Sequence, residues 1–584
     1  ARPRYPSAAV ELDICCSMLI ATLYRRPGHV LLPLFADRIE ALLGSDLDVN
    51  RKVAGATLLL TYCTLGNNVE RGEHLVATTQ ALLESDEVTP LNRVWWYSRL
   101  AILLNITGRH ASVEAQIRKA RHIIETHGLS GLRGARTIGD EPLQWSMLFQ
   151  RDWERAAALA REMAEAAHSL RPSEVFLASL ARLRLAICRG DPDAALLEGP
   201  ACVAVASATG MVYHELTARS QWAEVLAEAG RSQEARDQLR RCRELVRGTC
   251  LAYFEPELLV IEAYTVRGDR DMQRCRALLS EGFALARRVN ALWRDTRLFG
   301  RILSAMCSEA LSAGIEQEYV RSLIRRFGLR PASQDDEAWP WPVKIYTLGR
   351  FEILRSGQLL EFPHKAPRKQ LLVLKALLAF GGHDVPAHRV TDAIWPDSDG
   401  DAGGRALGVS LARLRTLLGN QEAITVSDDR ISLNPDCSWW DARAFDRRSA
   451  DAVHGTGDAG LLALYRGPFL AGDSDVPWTV PLRERLRARF ATHLRRSASE
   501  LEHACGWTEA AALYARGIET DDLAEEFYQG LMRCCSALGR PAEALSVYRR
   551  LRQILSVVLG IAPAPESEAL YRTLREVGIA QPGS

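Results

Sequence analysis

Apolar residues recur at three- and four-residue intervals along nearly all of residues 8–328, which is the spacing of the buried side of an α-helix. The stretch from Leu159 to Ala167 is representative, with apolar side chains at positions 159, 160, 163, 164 and 167. Glycine and proline fall mainly in short segments between such runs. The pattern predicts helix after helix over more than half of the chain, and hence a mainly α protein.

Six of the intervening loops share a turn chemistry built from Gly, Asn, Asp and Arg, and successive loops are 38–43 residues apart. A period near 40 residues with a turn at constant phase is typical of stacked helical hairpins. We therefore predict that residues 1–330 form a superhelix with a concave surface, similar to tetratricopeptide (TPR) repeats but with a longer period. The alternative is an irregular all-helical domain. The loops lie at 66–68, 108–110, 151–153, 190–192, 230–232 and 268–270.

The pattern changes after residue 330. Residues 331–337 begin with proline and carry a run of polar residues, and Trp339–Pro342 closes the segment, so we predict a linker at 331–342. Short alternating stretches predict three strands, at 343–348, 351–354 and 358–362. Helical patterns between Gly and Pro punctuation then predict three helices, at 368–380, 387–395 and 402–418, the last with Asp401 as its N-cap. A hairpin is predicted from two final stretches, 423–426 and 430–433.

Strands, three helices and a terminal hairpin are the order of a winged helix-turn-helix, which we place at 343–440. The three leading strands resemble those of response-regulator output domains, and residues 409–419 resemble the recognition helix of that class. The resemblance implies a DNA-binding module.

The chain from about residue 441 to 584 resembles the bacterial transcriptional activator domain of antibiotic-regulatory activators. Two segments there, opened by Gly506 and Gly539, lie 33 residues apart and independently predict a second TPR-like helical domain. The helical region before residue 330 is similar to the sensor region of ATP-dependent activators of the maltose-regulator type. The stretches that carry the activator-domain resemblance are Tyr465–Leu470, Trp478, Pro481–Arg487, Tyr548–Arg552 and Leu570–Arg572.

The third predicted helix of the winged module has two contrasting sides. Four leucines, at 407, 411, 414 and 418, share one side and predict a buried stripe. The other side is basic and carries small residues; arginine forks onto guanine, while threonine and valine contact the thymine methyl group. This helix is predicted to read DNA, the alternative being an ordinary amphipathic surface helix. The predicted DNA-binding residues on it are Arg405, Val409, Ala412, Arg413, Arg415 and Thr416.

Further contacts are predicted around this helix. Cations at the start of the first helix and within the second are expected to face phosphate, unless they are plain surface charges; these are Lys365, Arg368, Lys369 and Arg389. Arg430, at the end of the wing turn, is expected to enter the minor groove. The resemblance implies that the loop at 396–400, with Asp397 and Asp399, contacts RNA polymerase.

Charge balance limits how strongly this module binds nucleic acid without sequence preference. The whole chain has 73 basic and 72 acidic residues, a net charge of +1. Residues 343–440 contain 12 basic and 11 acidic residues, fewer cations in excess than is usual for a DNA-binding module. We therefore expect specific binding to need two copies of the chain side by side, hence a homo-oligomer, or a partner.

The sequence contains none of the motifs GxxxxGK[ST], HExxH and GxSxG, and no zinc-ligand spacing, so we expect no catalytic residue, cofactor or metal. A nucleotide-hydrolysing domain could precede Ala1. Thirteen cysteines without a CxxC pair favour free thiols in the cytoplasm. The most apolar early stretch, 14–24, is too short to cross a bilayer, so no membrane contact is expected.

The sequence thus favours a DNA-binding transcriptional activator. The winged helix would bind double-stranded promoter DNA and recruit RNA polymerase, and the N-terminal repeats would sense an unknown effector ligand or protein. The alternative is a TPR-type protein-interaction scaffold that uses the winged helix for protein contacts.

Overall fold

The computed structural model describes the chain over residues 5–131, 139–167, 171–291, 293, 300–361, 367–451, 459–473 and 475–579. The chain divides into two compact units, residues 1–332 and 333–584. Helices dominate both units, and among the described residues strands occur only in the second, which confirms the mainly α class. Among the described helices, none combines the length with the apolar composition needed to cross a bilayer.

The first unit is a succession of helices. Their bounds are α1 Ala8–Arg25, α2 Leu32–Leu43, α3 Val49–Leu65, α4 Val69–Leu83, α5 Pro90–Ile106, α6 Val113–Thr126, α7 Asp140–Phe149, α8 Trp153–Ala166, α9 Pro172–Arg189, α10 Pro192–Ala208, α11 Val212–Glu228, α12 Ser232–Val246, α13 Glu255–Gly268, α14 Met272–Arg288, α15 Arg301–Ser312 and α16 Gln317–Phe327. Consecutive helices pack as hairpins, as the loop period predicts.

All six predicted loops fold as the same turn. In each, one residue has a positive φ, between 60° and 81°, and the next N–H donates to the carbonyl five residues earlier over 2.8–3.3 Å. This is the Schellman closure, which satisfies carbonyls that the helix end leaves open. The positive-φ residues are 67, 108, 151, 190, 230 and 270, so the structural spacing is 39–43 residues. What repeats is therefore the backbone conformation of the turn, because glycine stands at the positive-φ position in only three of the six turns.

The superhelix closes on itself within the first unit. The Cys250 N–H donates to the Pro27 carbonyl over 3.0 Å, and the Arg301 guanidinium pairs with Glu228 at 2.8 Å. Gly28 lies so close to Gly248 that a Cβ at position 28 would stand 2.5 Å from the Gly248 oxygen. Side chains on nearly all sides of α11 are buried, so this helix belongs to the inner layer of the superhelix.

The second unit begins with a winged helix-turn-helix that contains two small sheets. Strands β1 Val343–Tyr346, β2 Glu352–Arg355 and β3 Gln358–Leu359 form an antiparallel ladder, and β7 Ser438–Trp440 joins β1 in parallel. The second sheet pairs β4 Val385–Pro386 with β6 Arg430–Leu433, and β6 with β5 Ile424–Ser427. The helices are α17 Arg368–Ala379, α18 Ala387–Ile394 and α19 Gly400–Leu418. The predicted order of elements is confirmed, whereas β4 and β7 were not predicted.

The segment predicted as a linker packs onto the winged module from residue 333 onward. Trp339 and Trp341 are buried, and the Trp341 indole N–H donates to the Asp336 carbonyl over 2.7 Å. The Tyr346 hydroxyl donates to the Glu337 carboxylate over 2.9 Å. The predicted linker is therefore packed from residue 333 onward, because two large indoles are buried among its polar residues.

The rest of the second unit is helical, with α20 Asp441–Asp451, α21 Ala459–Leu464, α22 Val480–His503, α23 Trp507–Thr520, α24 Glu525–Ala537, α25 Pro541–Val558 and α26 Pro565–Ile579. The turns before α23 and α25 have the same geometry as those of the first unit: Cys505 and Gly539 have positive φ, and the N–H groups of Gly506 and Arg540 donate five residues back. The 33-residue spacing in the sequence thus corresponds to two stacked hairpins.

A buried carboxylate joins the winged module to these helices. Asp441 stands at the start of α20 and accepts the N–H groups of Thr347, Leu348 and Ala442 over 2.7–2.9 Å. It also accepts the Thr347 hydroxyl over 2.6 Å. Burial raises the pKa of Asp441 to about 6, against the lowering effect of these hydrogen bonds. Asp441 therefore ties the end of β1 to the first helix that follows the module.

We expect Asp441→Ala to lower the free energy of unfolding of the second unit by about 2–4 kcal/mol, because several buried donors lose their acceptor together. Urea titration of the full chain, followed by tryptophan fluorescence, measures the effect. Asp392→Asn, at an exposed carboxylate of α18, is the matched control and should change stability by less than about 0.5 kcal/mol. Equal effects of the two substitutions would contradict the role given to Asp441.

Candidate nucleic-acid interface

Helix α19 is buried on one side and open to solvent on the other. Leu407, Leu411, Leu414 and Leu418 are each at most 4% exposed, as the helical wheel predicts. On the opposite side, five of the predicted DNA-binding residues are exposed: Arg405, Val409, Ala412, Arg413 and Thr416. Their roles stay predictions, but their side chains lie on one accessible surface of the helix.

This open side borders a shallow groove between α19 and the start of α17, with a volume of about 600 Å³. Four predicted cations line it: Arg368 and Lys369 from α17, and Arg405 and Arg413 from α19. A second groove of about 480 Å³ continues past Arg413 towards Thr416. No carboxylate is among the residues that line either groove, so the surface is locally basic although the module is close to neutral.

Two residues of this surface were missed by the sequence reasoning. Arg355, on β2, is exposed and lines the second groove, where its side chain lies across Gly419 at the end of α19. Trp395 lines the first groove, and its ring lies 5.5 Å from the Lys369 ammonium. Arg355 is distant from α19 in sequence, so no local pattern could have assigned it to this surface, whereas Trp395 lies in the loop just before α19.

Arg415 does not belong to the open side. It is half-buried, and its guanidinium Nε donates to the Ile424 carbonyl at the start of β5 over 2.9 Å. This contact directs the Arg415 side chain towards the wing, and its role in DNA binding stays a prediction. The same contact positions β5 relative to α19.

The remaining predicted cations lie around the module. Arg389 is exposed on α18, with its guanidinium 4.3 Å from the Phe380 ring centre. Arg430 follows the wing turn, but its guanidinium is bound to the carboxylate of Asp384 at 2.9 Å and to the Asp384 carbonyl at 3.0 Å. That ion pair would have to rearrange before Arg430 could enter a minor groove. Lys365 lies outside the described residues.

The loop before α19 and the wing turn both carry exposed acidic residues. Asp397 and Asp399 are exposed. Asp399 is the N-cap residue of α19, and its carbonyl accepts the Gly403 N–H over 2.8 Å. Asp401, the predicted N-cap, lies inside the first turn of the helix instead. At the wing, Asp428 and Asp429 both have positive φ, at 49° and 57°. Carboxylates therefore flank the basic grooves without lining them.

Arg415→Ala should lower the free energy of unfolding by about 1–2 kcal/mol, because the buried end of β5 loses a charge-assisted hydrogen bond. Arg413→Ala, two residues away on the exposed side, should cost less than about 0.5 kcal/mol. Thermal unfolding of the two variants, compared with the unmodified chain, tests the assignment. The assignment fails if Arg413 proves the more important for stability.

The described part of the chain contains no group of three or more His, Cys, Asp or Glu side chains arranged to hold a metal ion. All thirteen cysteines are free, and Cys505 alone among them is exposed. Burial raises the pKa of the Cys63 and Cys188 thiols to about 12, so these two are held as thiols.

Part of the second unit matches a known protein family. The profile of the bacterial transcriptional activator domain matches residues 441–575. The regulatory protein AfsR of Streptomyces griseus is 28% identical over 248 residues, which are 40% of this chain and 24% of AfsR. The chain thus spans about a quarter of the length of that curated relative.

Among solved structures, Mycobacterium tuberculosis EmbR in complex with a low affinity phosphopeptide has a TM-score of 0.33 and 22% identity. The match covers 42% of this chain and 67% of EmbR. The human IFIT1 dimer with m7Gppp-AAAA has a TM-score of 0.27 and 12% identity, covering 95% and 96% of the two chains. Likenesses this low carry no argument about function.

The sequence match to AfsR runs over more residues than the activator domain alone. The matched helices α20–α26 follow directly on the winged module and are tied to it through Asp441. Residues 441–575 therefore match the bacterial transcriptional activator domain, and the chain is similar to a regulatory protein over a stretch longer than that domain.

Proposed function

We propose that this regulator is a DNA-binding transcriptional activator, without catalytic activity of its own, that works in the cytoplasm. The observation that carries the proposal is the pair of grooves beside α19, which four predicted cations line without a carboxylate. A helix with a small, basic, exposed side matches the width of the major groove of B-DNA. Arg405 and Arg413 would contact base edges, together with Val409, Ala412 and Thr416.

Contacts to the DNA backbone would come from α17. Arg368 and Lys369 are exposed in its first turn, where unpaired N–H groups and the helix dipole also favour phosphate. Arg355 lies on the same surface and would add a further phosphate contact. Arg389, Lys365 and Arg430 stay in the proposal as peripheral contacts.

The near-neutral charge of the module suggests that one copy binds weakly. We propose that two copies bind direct repeats side by side, and that the loop with Asp397 and Asp399 contacts RNA polymerase. The first unit would sense a ligand or a protein. The 12 basic and 11 acidic residues of the module also keep the scaffold alternative open, in which the α19 surface binds a protein.

Substitutions at α19 should change sequence preference. With DNA selected by the full chain from a random pool, Arg405→Ala or Arg413→Ala should cost about 1–3 kcal/mol at particular base positions. Arg549→Ala, at an exposed arginine of α25, is the control and should bind like the unmodified chain. Gel shifts with single-base variants of the selected site measure this. If no DNA is selected, or if α19 variants bind as the control does, the scaffold alternative is favoured.

Lys369→Ala should instead weaken binding to every sequence alike and lower the slope of log K against log salt by about 1, since a phosphate contact releases a counterion. Fluorescence anisotropy at several salt concentrations gives the slope. A Lys369→Ala variant with a changed base preference would place this lysine at a base and contradict the docking described here.

The polymerase contact is tested separately from DNA binding. Asp397→Asn should leave the gel shift unchanged and lower transcription from a promoter with the selected site in a purified system. Asp392→Asn, on the preceding helix, should leave both unchanged. A parallel loss of DNA binding would contradict the assignment of Asp397 to polymerase.

A further inference from the structure

The inner helices of the first unit enclose a groove of about 370 Å³. It is lined by residues of α1, α3, α5, α7, α9 and α11, that is, by the first helix of each of six successive hairpins. Its size falls within the range of small-molecule sites in proteins. The groove lies wholly within this unit and uses none of the residues of the proposed DNA interface.

Aromatic side chains form much of its wall. Trp95, Trp145, Phe176 and Tyr213 come from four different helices. Phe176 is 1% exposed and stacks on the His214 ring, with the centroids 4.4 Å apart. Flat, rigid walls of this kind favour a flat, conjugated ligand, because ring faces pack in parallel or offset arrangements.

Three polar atoms in the groove wall are buried and have no hydrogen-bond partner: Trp145 Nε1, His214 Nδ1 and Thr217 Oγ1. His214 and Thr217 are three residues apart on α11 and therefore lie on one side of it. Burial lowers the pKa of His214 to about 4, so the ring is neutral near pH 7. These atoms can form hydrogen bonds with a polar group of a ligand in the groove.

The charges in the wall do not cancel. The Arg184 guanidinium is bound to the Glu141 carboxylate at 2.9 Å and lies 5.3 Å from the Trp145 ring centre. Arg99 lies over Trp95 at 5.6 Å and forms no ion pair with any residue in the described ranges. The groove therefore has one cation in excess, and that cation favours an anionic group on the ligand.

We propose that this groove binds a small, flat, conjugated molecule that carries one acidic group. The rings pack against Trp145 and Phe176, the acidic group pairs with Arg99, and a polar atom of the ligand bonds to His214 or Thr217. The inference rests on the sensing role proposed for the first unit and names the ligand class for it.

Two probes that share one ring system distinguish the contribution of the acidic group to binding from that of the rings. These are 8-anilinonaphthalene-1-sulfonate, which is acidic, and N-phenyl-1-naphthylamine, which is uncharged. Both should bind the full chain saturably. Arg99→Gln should weaken the sulfonate about tenfold, as loss of a charged hydrogen bond predicts, and the amine less than about twofold. Arg247→Gln, at an exposed arginine outside the groove, is the matched control and should change neither.

Ser173→Trp places an indole in the groove from a half-buried position and should weaken both probes more than about tenfold. Circular dichroism shows whether this variant folds; the two arginine variants decide the question without it. The proposal is overturned if the sulfonate does not bind, or if Arg99→Gln and Arg247→Gln behave alike.

Gel shifts with the same variants test DNA binding separately from ligand binding in the groove. Without probe, Arg99→Gln should bind the selected DNA as the unmodified chain does. A chain that binds the probes but no DNA would contradict the DNA-binding function and support the groove. A chain that binds DNA but treats both arginine variants alike would contradict the groove alone.

Discussion

Burial of one side of α19 is the constraint on which the candidate interface depends. The four leucines of its inner side are withdrawn from water together with the core of the winged module. Turning the helix about its axis would expose them, at a cost of about 1.5–3 kcal/mol for each. The helix therefore presents Arg405, Val409 and Arg413 outward as a consequence of what it buries.

The second constraint is the joint at Asp441. One carboxylate satisfies backbone donors from the end of β1 and from the start of α20, so the winged module and the activator domain share a buried hydrogen-bond centre. Nearby, Lys375 of α17 pairs with Asp473 at 2.7 Å, and the Leu470 N–H donates to the Thr347 carbonyl over 2.8 Å. The ion pair of Lys375 thus joins the helices after the winged module to α17, one of the two helices that border the first groove.

Much of the fold could be predicted from the sequence because its information is local. A helix with a 3.6-residue period, a turn closed by a left-handed residue and a hairpin at 424–433 each depend on neighbours in the chain. The six turns were predicted from their polar and glycine residues, and the exposed side of α19 followed from the spacing of its leucines. The family resemblance added the order of the modules, which spacing alone leaves open.

What only the tertiary structure decided involves partners distant in sequence. Arg413 and Arg415 were both predicted to bind DNA, and only the structure shows that Arg415 Nε donates to the Ile424 carbonyl at the wing. Arg355 reaches the α19 surface from β2. The groove in the first unit is assembled from six helices, from Tyr24 of α1 to Thr217 of α11. The periodicity of a chain determines which side of each element is apolar, whereas the packing of elements determines which polar groups meet, and that packing depends on contacts that no local pattern contains.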